Sequence, residues 1–230
     1  IPLHAVMILN VKCDNKMKIK VCGMRNVMNI AEISMLEPDY IGFIFYERSP
    51  RYAGELNHAV LESLFSNTLS VGVFVNATID HVVETAEYYK LNAIQLHGNE
   101  TPEYCAELST KYKCEIIKAF GIKSEDDFAN MYEYEYFCKY FLFDTKTNLY
   151  GGSGNKFDHN LLTNYKCKKP FFISGGITLD DVANIRDNHH ELCIGIDVNS
   201  GFEISPGLKD VAKIKKLLNL FKQTPDEQDI

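Results

Sequence analysis

Eight short apolar runs recur along the chain, each stopping at a polar or glycine-rich turn: Lys18–Cys22, Tyr40–Phe45, Leu69–Val75, Ala93–His97, Ile116–Phe120, Phe141–Asp144, Phe171–Ser174 and Gly195–Val198. Most are nearly continuous, as in Ile41-Gly42-Phe43-Ile44-Phe45 and Val71-Gly72-Val73-Phe74-Val75. Strands covered on both faces read this way, whereas half-solvated strands alternate. Their ends recur at intervals of roughly 22–30 residues, enough for one helix and two short turns. Helix starts fall in those intervals. Asn26 precedes Val27–Leu36, which Pro38 cannot extend, and Thr78 precedes Asp80–Tyr89. Thr101-Pro102-Glu103 puts proline at a first helical position. Ser124-Glu125-Asp126-Asp127 and Thr178-Leu179-Asp180-Asp181 are cap-plus-acid starts, and Asp210 opens a last helix to about Phe221.

Eight consecutive βα units predict an α/β protein with one domain, a closed (β/α)8 TIM barrel, over an open doubly wound sheet. No G-x-G-x-x-G follows a strand, so a dinucleotide-binding sheet has no local support. The barrel is expected to span residues 17–222. Residues 1–16 precede the periodic pattern and read as an N-terminal extension or leader, with Met17 the natural start. Residues 223–230, with Pro225 and three acids, read as a frayed tail.

Composition narrows the class. The 230 residues are 46% hydrophobic and 24% charged, as in soluble globular proteins. A net charge of −7 with no broad basic stripe argues against nonspecific nucleic-acid binding, and Lys213, Lys215 and Lys216 read as a solvated helix face. The seven cysteines are scattered, odd in number and without C-x-x-C spacing. That fits a reducing, cytoplasmic setting better than a disulfide framework or a zinc site. No apolar run approaches the ~18 residues of a membrane span. Ala5-Val6-Met7-Ile8-Leu9 lacks the flanks of a signal peptide.

The chemistry lies at strand ends, which share one face in a parallel α/β protein. Cys22 and Asp144 both end strands, and a thiol and a carboxyl in one pocket suit proton transfer without a metal. Asp144 follows Phe141-Leu142-Phe143, apolar surroundings that would favour a protonated general acid; a helix cap or a partner for Lys146 is the equal alternative. Cys22 is by type a small core residue, but beside Gly23 it would emerge at the barrel mouth, with Lys20 on the same strand face. Ser174-Gly175-Gly176 and Asn199-Ser200-Gly201 follow the last two strands, the usual phosphate corner of such barrels, although glycines also merely turn a chain. Arg51, after Ser49-Pro50, suits bidentate carboxylate recognition or is an exposed, unpaired arginine. His97 reads more as a packed polar residue than a catalyst. Asp197, inside a strand, needs partners or a substrate hydroxyl. The loop Tyr150-Gly151-Gly152-Ser153-Gly154 is a lid or simple slack.

In their order and spacing, several motifs resemble the phosphoribosylanthranilate isomerase family, from Lys18 to about Leu218. They are Lys20-Val21-Cys22-Gly23, Gly42-Phe43-Ile44-Phe45 with Ser49-Pro50-Arg51-Tyr52, Gly72-Val73-Phe74-Val75-Asn76 and Gln95-Leu96-His97-Gly98. Asp144 with Gly151-Gly152-Ser153-Gly154 and Phe157-Asp158, then Ser174-Gly175-Gly176 and Asp197-Val198-Asn199-Ser200-Gly201 with Ser205-Pro206-Gly207, complete the set. The chain departs from the family at Met24-Arg25, at Asn199 in place of a common serine, and at His159 in place of a frequent tryptophan.

The resemblance implies an Amadori rearrangement of N-(5-phosphoribosyl)anthranilate in tryptophan biosynthesis, without cofactor or metal. Asp144 would protonate the furanose oxygen and Cys22 would remove the neighbouring carbon's proton. Arg51 would hold the anthranilate carboxylate, and Gly175, Gly176, Ser200 and Gly201 the phosphate. His97 and Asp197 would orient the sugar. The partner implied is a small phosphosugar, with no nucleic acid or membrane, and a monomer or homodimer. Rival phosphosugar barrels fit less well. A paired-aspartate isomerase needs a carboxylate where Cys22 stands, and an indole-glycerol-phosphate synthase needs strand-end lysines, for which Lys118 and Lys146 are the near candidates. A silent metabolite-binding barrel would not need Cys22, Asp144 and Arg51 together.

Overall fold

The eight expected strands all form, with ends shifted by one or two residues. They are β1 (Lys18–Val21), β2 (Tyr40–Ile44), β3 (Leu69–Phe74), β4 (Ala93–Leu96), β5 (Glu115–Ile122), β6 (Tyr140–Thr145), β7 (Phe171–Ile173) and β8 (Cys193–Val198). They pair in parallel in sequence order, and β1 against β8 closes the barrel. This is the expected (β/α)8 architecture. The computed structural model describes residues 17–54, 56–57, 67–145 and 159–222. The expected leader, the Tyr150–Gly154 loop, Lys146, Phe157-Asp158 and the tail lie outside the described residues.

The strands are apolar on both faces because each faces a different core. Tyr40, Val71, Ala93, Ile117, Ala119, Leu142 and Phe172 form an inner cluster, while residues such as Ile41, Phe43, Ile94, Phe141 and Ile196 join the larger layer that includes helix residues. Side chains alternate along a strand, so inward parity carries from Tyr40 to Gly42, from Ala93 to Gln95 and His97, and from Leu142 to Asp144. The polar members of the inward set gather at the carboxyl ends. At the opposite end the lumen is stoppered by rings, with Phe172 edge-on to Tyr40 (5.7 Å) and Tyr140 (5.6 Å).

The helices follow their caps. Asn26 Oδ1 accepts from the Asn29 N–H (3.0 Å) to start α1 (Val27–Ser34). Thr78 and Thr101 cap α2 (Ile79–Tyr89) and α3 (Pro102–Lys111), and a Thr178–Asp181 capping box opens α4 (Leu179–Asn188). The last helix is α5 (Val211–Lys222).

Two intervals differ from expectation. Ser124 does not open an α-helix; two 3-10 turns follow, Glu125–Phe128 and Met131–Tyr134. Asp127 accepts from the N–H groups of Lys123 and Ser124 (2.9 Å each), so its carboxylate serves the local turn. Buried Phe128 and Met131 anchor that compact path. After β6, the described part of the interval is a 3-10 run, His159–Asn164. The chain also adds an unforeseen antiparallel hairpin, β9 (Glu203–Ser205) and β10 (Leu208–Lys209), turning at Pro206-Gly207. Among the described residues no helix is long and apolar enough to cross a membrane.

Candidate active site

Cys22 lies just past β1, where its N–H donates to Val198 O (2.9 Å) on β8. It is buried, 4% exposed, rather than projecting freely from the mouth as its position predicts. Lys20, two residues earlier, is fully buried and points the same way. Register sets Lys20 opposite Asp197, and Lys20 Nζ donates to Asp197 Oδ2 at 2.9 Å. A methyl group at Gly42 would sit 2.8 Å from Cys22 Sγ and 3.2 Å from Lys20 Nζ, so thiol and ammonium share the space beside that glycine. Burial pushes the Cys22 thiol up from its ordinary range, Lys20 opposes this most strongly, and Asp197 adds to it.

Asp144 stands at the end of β6, partly exposed. Its Oδ1 accepts from the Thr145 N–H (2.8 Å), and its Oδ2 faces His97 Nε2 at 3.4 Å. It therefore sits among polar partners at the lumen's end rather than in the apolar surroundings that Phe141-Leu142-Phe143 suggest, because Phe141 and Phe143 join the outer layer and Leu142 the inner cluster. Gln95 Nε2 donates to His97 Nδ1 (2.8 Å), which leaves the histidine's own proton on Nε2, toward Asp144. His97 is thus bound into the site. Asp197 is within electrostatic reach of Asp144, of His97 and of Cys22. Thiol and carboxyl are both coupled to one aspartate at one end of the barrel. Among the described residues, the buried side-chain polar atoms without a hydrogen-bond partner are Asp197 Oδ1 and Gln95 Oε1, both on inward strand positions.

Gly175 and Gly176 both hold left-handed backbone, φ 94° and 63°, which other residues rarely adopt. A side chain at Gly175 would strike Asp144 Oδ1 (2.9 Å) and Thr145. Gly201 packs so tightly on the Ile177 carbonyl that the turns after β7 and β8 form one corner. Among the described residues, nothing accepts from the N–H groups of Gly175 or Gly176. Ser200 and Gly201 belong to the 3-10 turn Ser200–Phe202 beside them.

Arg51 departs most from expectation. It is buried, and the carboxylate it grips is the chain's own Glu203: Nε donates at 2.9 and 3.0 Å and Nη2 at 2.8 Å. Among the described residues no group accepts from its Nη1. Lys209, fully buried, donates to Glu203 Oε1 (2.6 Å) and Asn199 Oδ1 (2.7 Å).

A family model described as N-(5'-phosphoribosyl)anthranilate (PRA) isomerase matches residues 19–220. The chain belongs to the phosphoribosylanthranilate isomerase family. A relative of that name from Parabacteroides distasonis is 50% identical over 205 residues, covering 88% of this chain and 92% of its own. Phosphoribosyl anthranilate isomerase from Thermotoga maritima superposes with a TM-score of 0.77 at 33% identity, covering 90% of this chain and 98% of that one. A second solved isomerase, in complex with reduced 1-(o-carboxyphenylamino)-1-deoxyribulose 5-phosphate, superposes with a TM-score of 0.74 at 29% identity and the same coverages of 90% and 98%.

Seen as a phosphoribosylanthranilate isomerase fold, the site contains residues that the sequence reading passed over: Gln95, Glu203 and Lys209. Ser205-Pro206-Gly207 was the available sign of a hairpin, but nothing local joins Glu203 to Arg51. Asn199, the departure from the family's serine, is engaged as the acceptor for Lys209. Lys118 is not a site lysine: it is buried, donating to Glu100 Oε2 (3.1 Å) and to the carbonyls of Leu96, Gly98 and Ala119. That removes one of the two lysines a synthase reading would use.

Proposed function

We propose that this chain catalyses the Amadori rearrangement of N-(5-phosphoribosyl)anthranilate to 1-(2-carboxyphenylamino)-1-deoxyribulose 5-phosphate by general acid–base catalysis, as a step of tryptophan biosynthesis. The observation that carries the reading is Asp197 within electrostatic reach of both Cys22 and the Asp144–His97 pair at one barrel end, beside a glycine corner whose Gly175 and Gly176 N–H groups find no acceptor among the described residues. Asp144 gives a proton to the furanose ring oxygen as the C1–O bond breaks and the nitrogen lone pair forms a Schiff base. The Cys22 thiolate takes the proton from C2, the C–H pair forms C1=C2 as the C1=N pair returns to nitrogen, and the resulting enolamine becomes the ketone when C1 gains a proton and the C2 hydroxyl loses one. Asp197 Oδ1 and Gln95 Oε1, buried acceptors without donors, receive sugar hydroxyls. Gly175, Gly176, Ser200 and Gly201 hold the phosphate, and Arg51 meets the anthranilate carboxylate with Nη1 while Glu203 fixes the rest of the guanidinium. The chain acts in the cytoplasm, as a monomer or homodimer, with no nucleic-acid partner.

The test generates the substrate in situ and follows loss of its fluorescence. Cys22→Ser and Asp144→Asn are each expected to lose at least ~10²-fold in turnover while remaining folded by circular dichroism. Turnover within a few-fold of the parent removes that residue from its role. Tight binding of the phosphorylated ligand with no turnover by the parent chain turns the reading into a silent binding barrel.

A further inference from the structure

We propose that Lys20 is a positioning residue for the reaction: its buried ammonium, anchored by Asp197, fixes the Cys22 sulfur and holds it as the thiolate that accepts the sugar proton. The inference rests on Cys22 being the base named above. Lys20 has no exposure to water and no route to a surface role. Its partners are dictated by closure of the barrel, because β1–β8 register places it directly across from Asp197, and alternation along β1 turns it to the side of Cys22. Gly42, without a side chain, opens the space in which Sγ and Nζ meet.

The charges around the sulfur favour this. Lys20 reaches it from β1, Asp197 from β8 and Lys209 from β10, with Arg51 and Glu203 paired just beyond. Gly42 on β2 and the Asn199 amide bring no charge, and Asp144, paired with His97, acts on Asp197. Around the sulfur, the cations Lys20 and Lys209 stand with the carboxylate of Asp197, and Arg51 is paired with Glu203. Burial disfavours the ionised sulfur, and the ammonium groups of Lys20 and Lys209 work against that effect. Lys20 is also among the influences that oppose the effect of burial on the thiol, and the largest of them.

The experiment measures the rate of Cys22 alkylation by iodoacetamide across pH, read by mass spectrometry of the Cys22 peptide, together with the pH profile of kcat/KM. Lys20→Met is expected to slow Cys22 alkylation at neutral pH at least ~10-fold, and to move the acid limb of the rate profile toward higher pH, because an uncompensated thiol ionises less readily. A packing role alone would lower stability and leave both profiles where they are. Lys20→Met strands the Asp197 carboxylate and is at risk of misfolding. In that event, Asp197→Asn is compared with the double variant Lys20→Met/Asp197→Asn, in which no buried carboxylate lacks its cation. Alkylation at least ~10-fold slower in the double variant than in Asp197→Asn supports the proposal; equal rates in either comparison overturn it. Alkylation needs no turnover, so the outcome stands apart from the activity reading. Lys20-dependent alkylation in a chain inactive on the aminosugar would sink the function, whereas an active chain whose Cys22 ignores Lys20 would sink only the inference.

Discussion

Gly42 is the residue on which the geometry of the candidate base turns. A Cβ there would lie 2.8 Å from Cys22 Sγ, 3.2 Å from Cys22 Cα and 3.2 Å from Lys20 Nζ, all in a packed lumen. Gly42→Ala is therefore expected to displace the sulfur and the ammonium together. Overpacking of this kind costs about 1–3 kcal/mol of stability, which leaves the chain folded. The catalytic loss should be larger in effect, at least ~10-fold in kcat/KM, since sub-ångström misplacement of a reacting group is felt in the barrier. Steady-state kinetics beside thermal melts check this, and a variant with normal kcat/KM would mean that the sulfur does not need that space. Strand-end position and parity along a strand made Cys22, His97, Asp144 and Asp197 visible in the sequence. Partners were not visible, because Lys20 meets Asp197 across 177 positions and Arg51 meets Glu203 across 152. An isolated arginine after Ser49-Pro50 shows only that it can bind a carboxylate, not whose.

The hairpin β9–β10 is the element that turns this difference into energetics. It carries Glu203 and Lys209 under the loop bearing Arg51, so one short excursion after β8 builds both the anchor of the arginine and a cation near the sulfur. Burial alone would push the Glu203 carboxyl up, but hydrogen bonds from Arg51 and the charge of Lys209 outweigh it and hold the group below the usual carboxylate range. A carboxyl depressed in the folded state contributes stability that is fully present above its unfolded value of about 4.3 and is lost as pH falls through the lower folded value. Glu203→Gln should accordingly lower stability at pH 7 by about 3–5 kcal/mol, the cost of leaving buried cations unmatched. The gap in melting temperature between parent and variant should then narrow as pH drops below about 4. A gap that stays constant down to pH 3 would show that Glu203 acts through shape alone. At this scale the sequence was most reliable where caps preceded amphipathic runs, as at Asn26, Thr78 and Thr101. It failed after Ser124, where the same capping box forms as at Thr178 but leads into two 3-10 turns anchored by buried Phe128 and Met131.

Closure is the property of the whole molecule on which both elements depend, and counting eight apolar runs was enough to expect it. The count does not say what makes the seam fit. At the seam, Gly195 on β8 lies opposite Lys18 on β1, and a side chain at Gly195 would collide with the Lys18 carbonyl and come within 2.9 Å of the Phe172 ring. The two strands are thus spaced by the absence of an atom. Two residues further along the same ladder Lys20 meets Asp197, so the seam's spacing also sets the pair beside Cys22. Gly195→Ala should cost at least about 2 kcal/mol, because its contacts are a backbone carbonyl and a packed ring that have little room to move. It should also lower kcat more than it raises KM, since the register under the base shifts while the phosphate corner stays. Gly54→Ala is the contrasting case: nothing lies within 4 Å of its Cβ position, and only a φ of 65° opposes the change. Backbone strain alone costs on the order of 1 kcal/mol. Urea midpoints of the two variants decide between packing at the seam and backbone conformation as the constraint on these glycines. Greater loss for Gly54→Ala than for Gly195→Ala, or an unaltered kcat in Gly195→Ala, would separate the closing of the barrel from the placing of its candidate base.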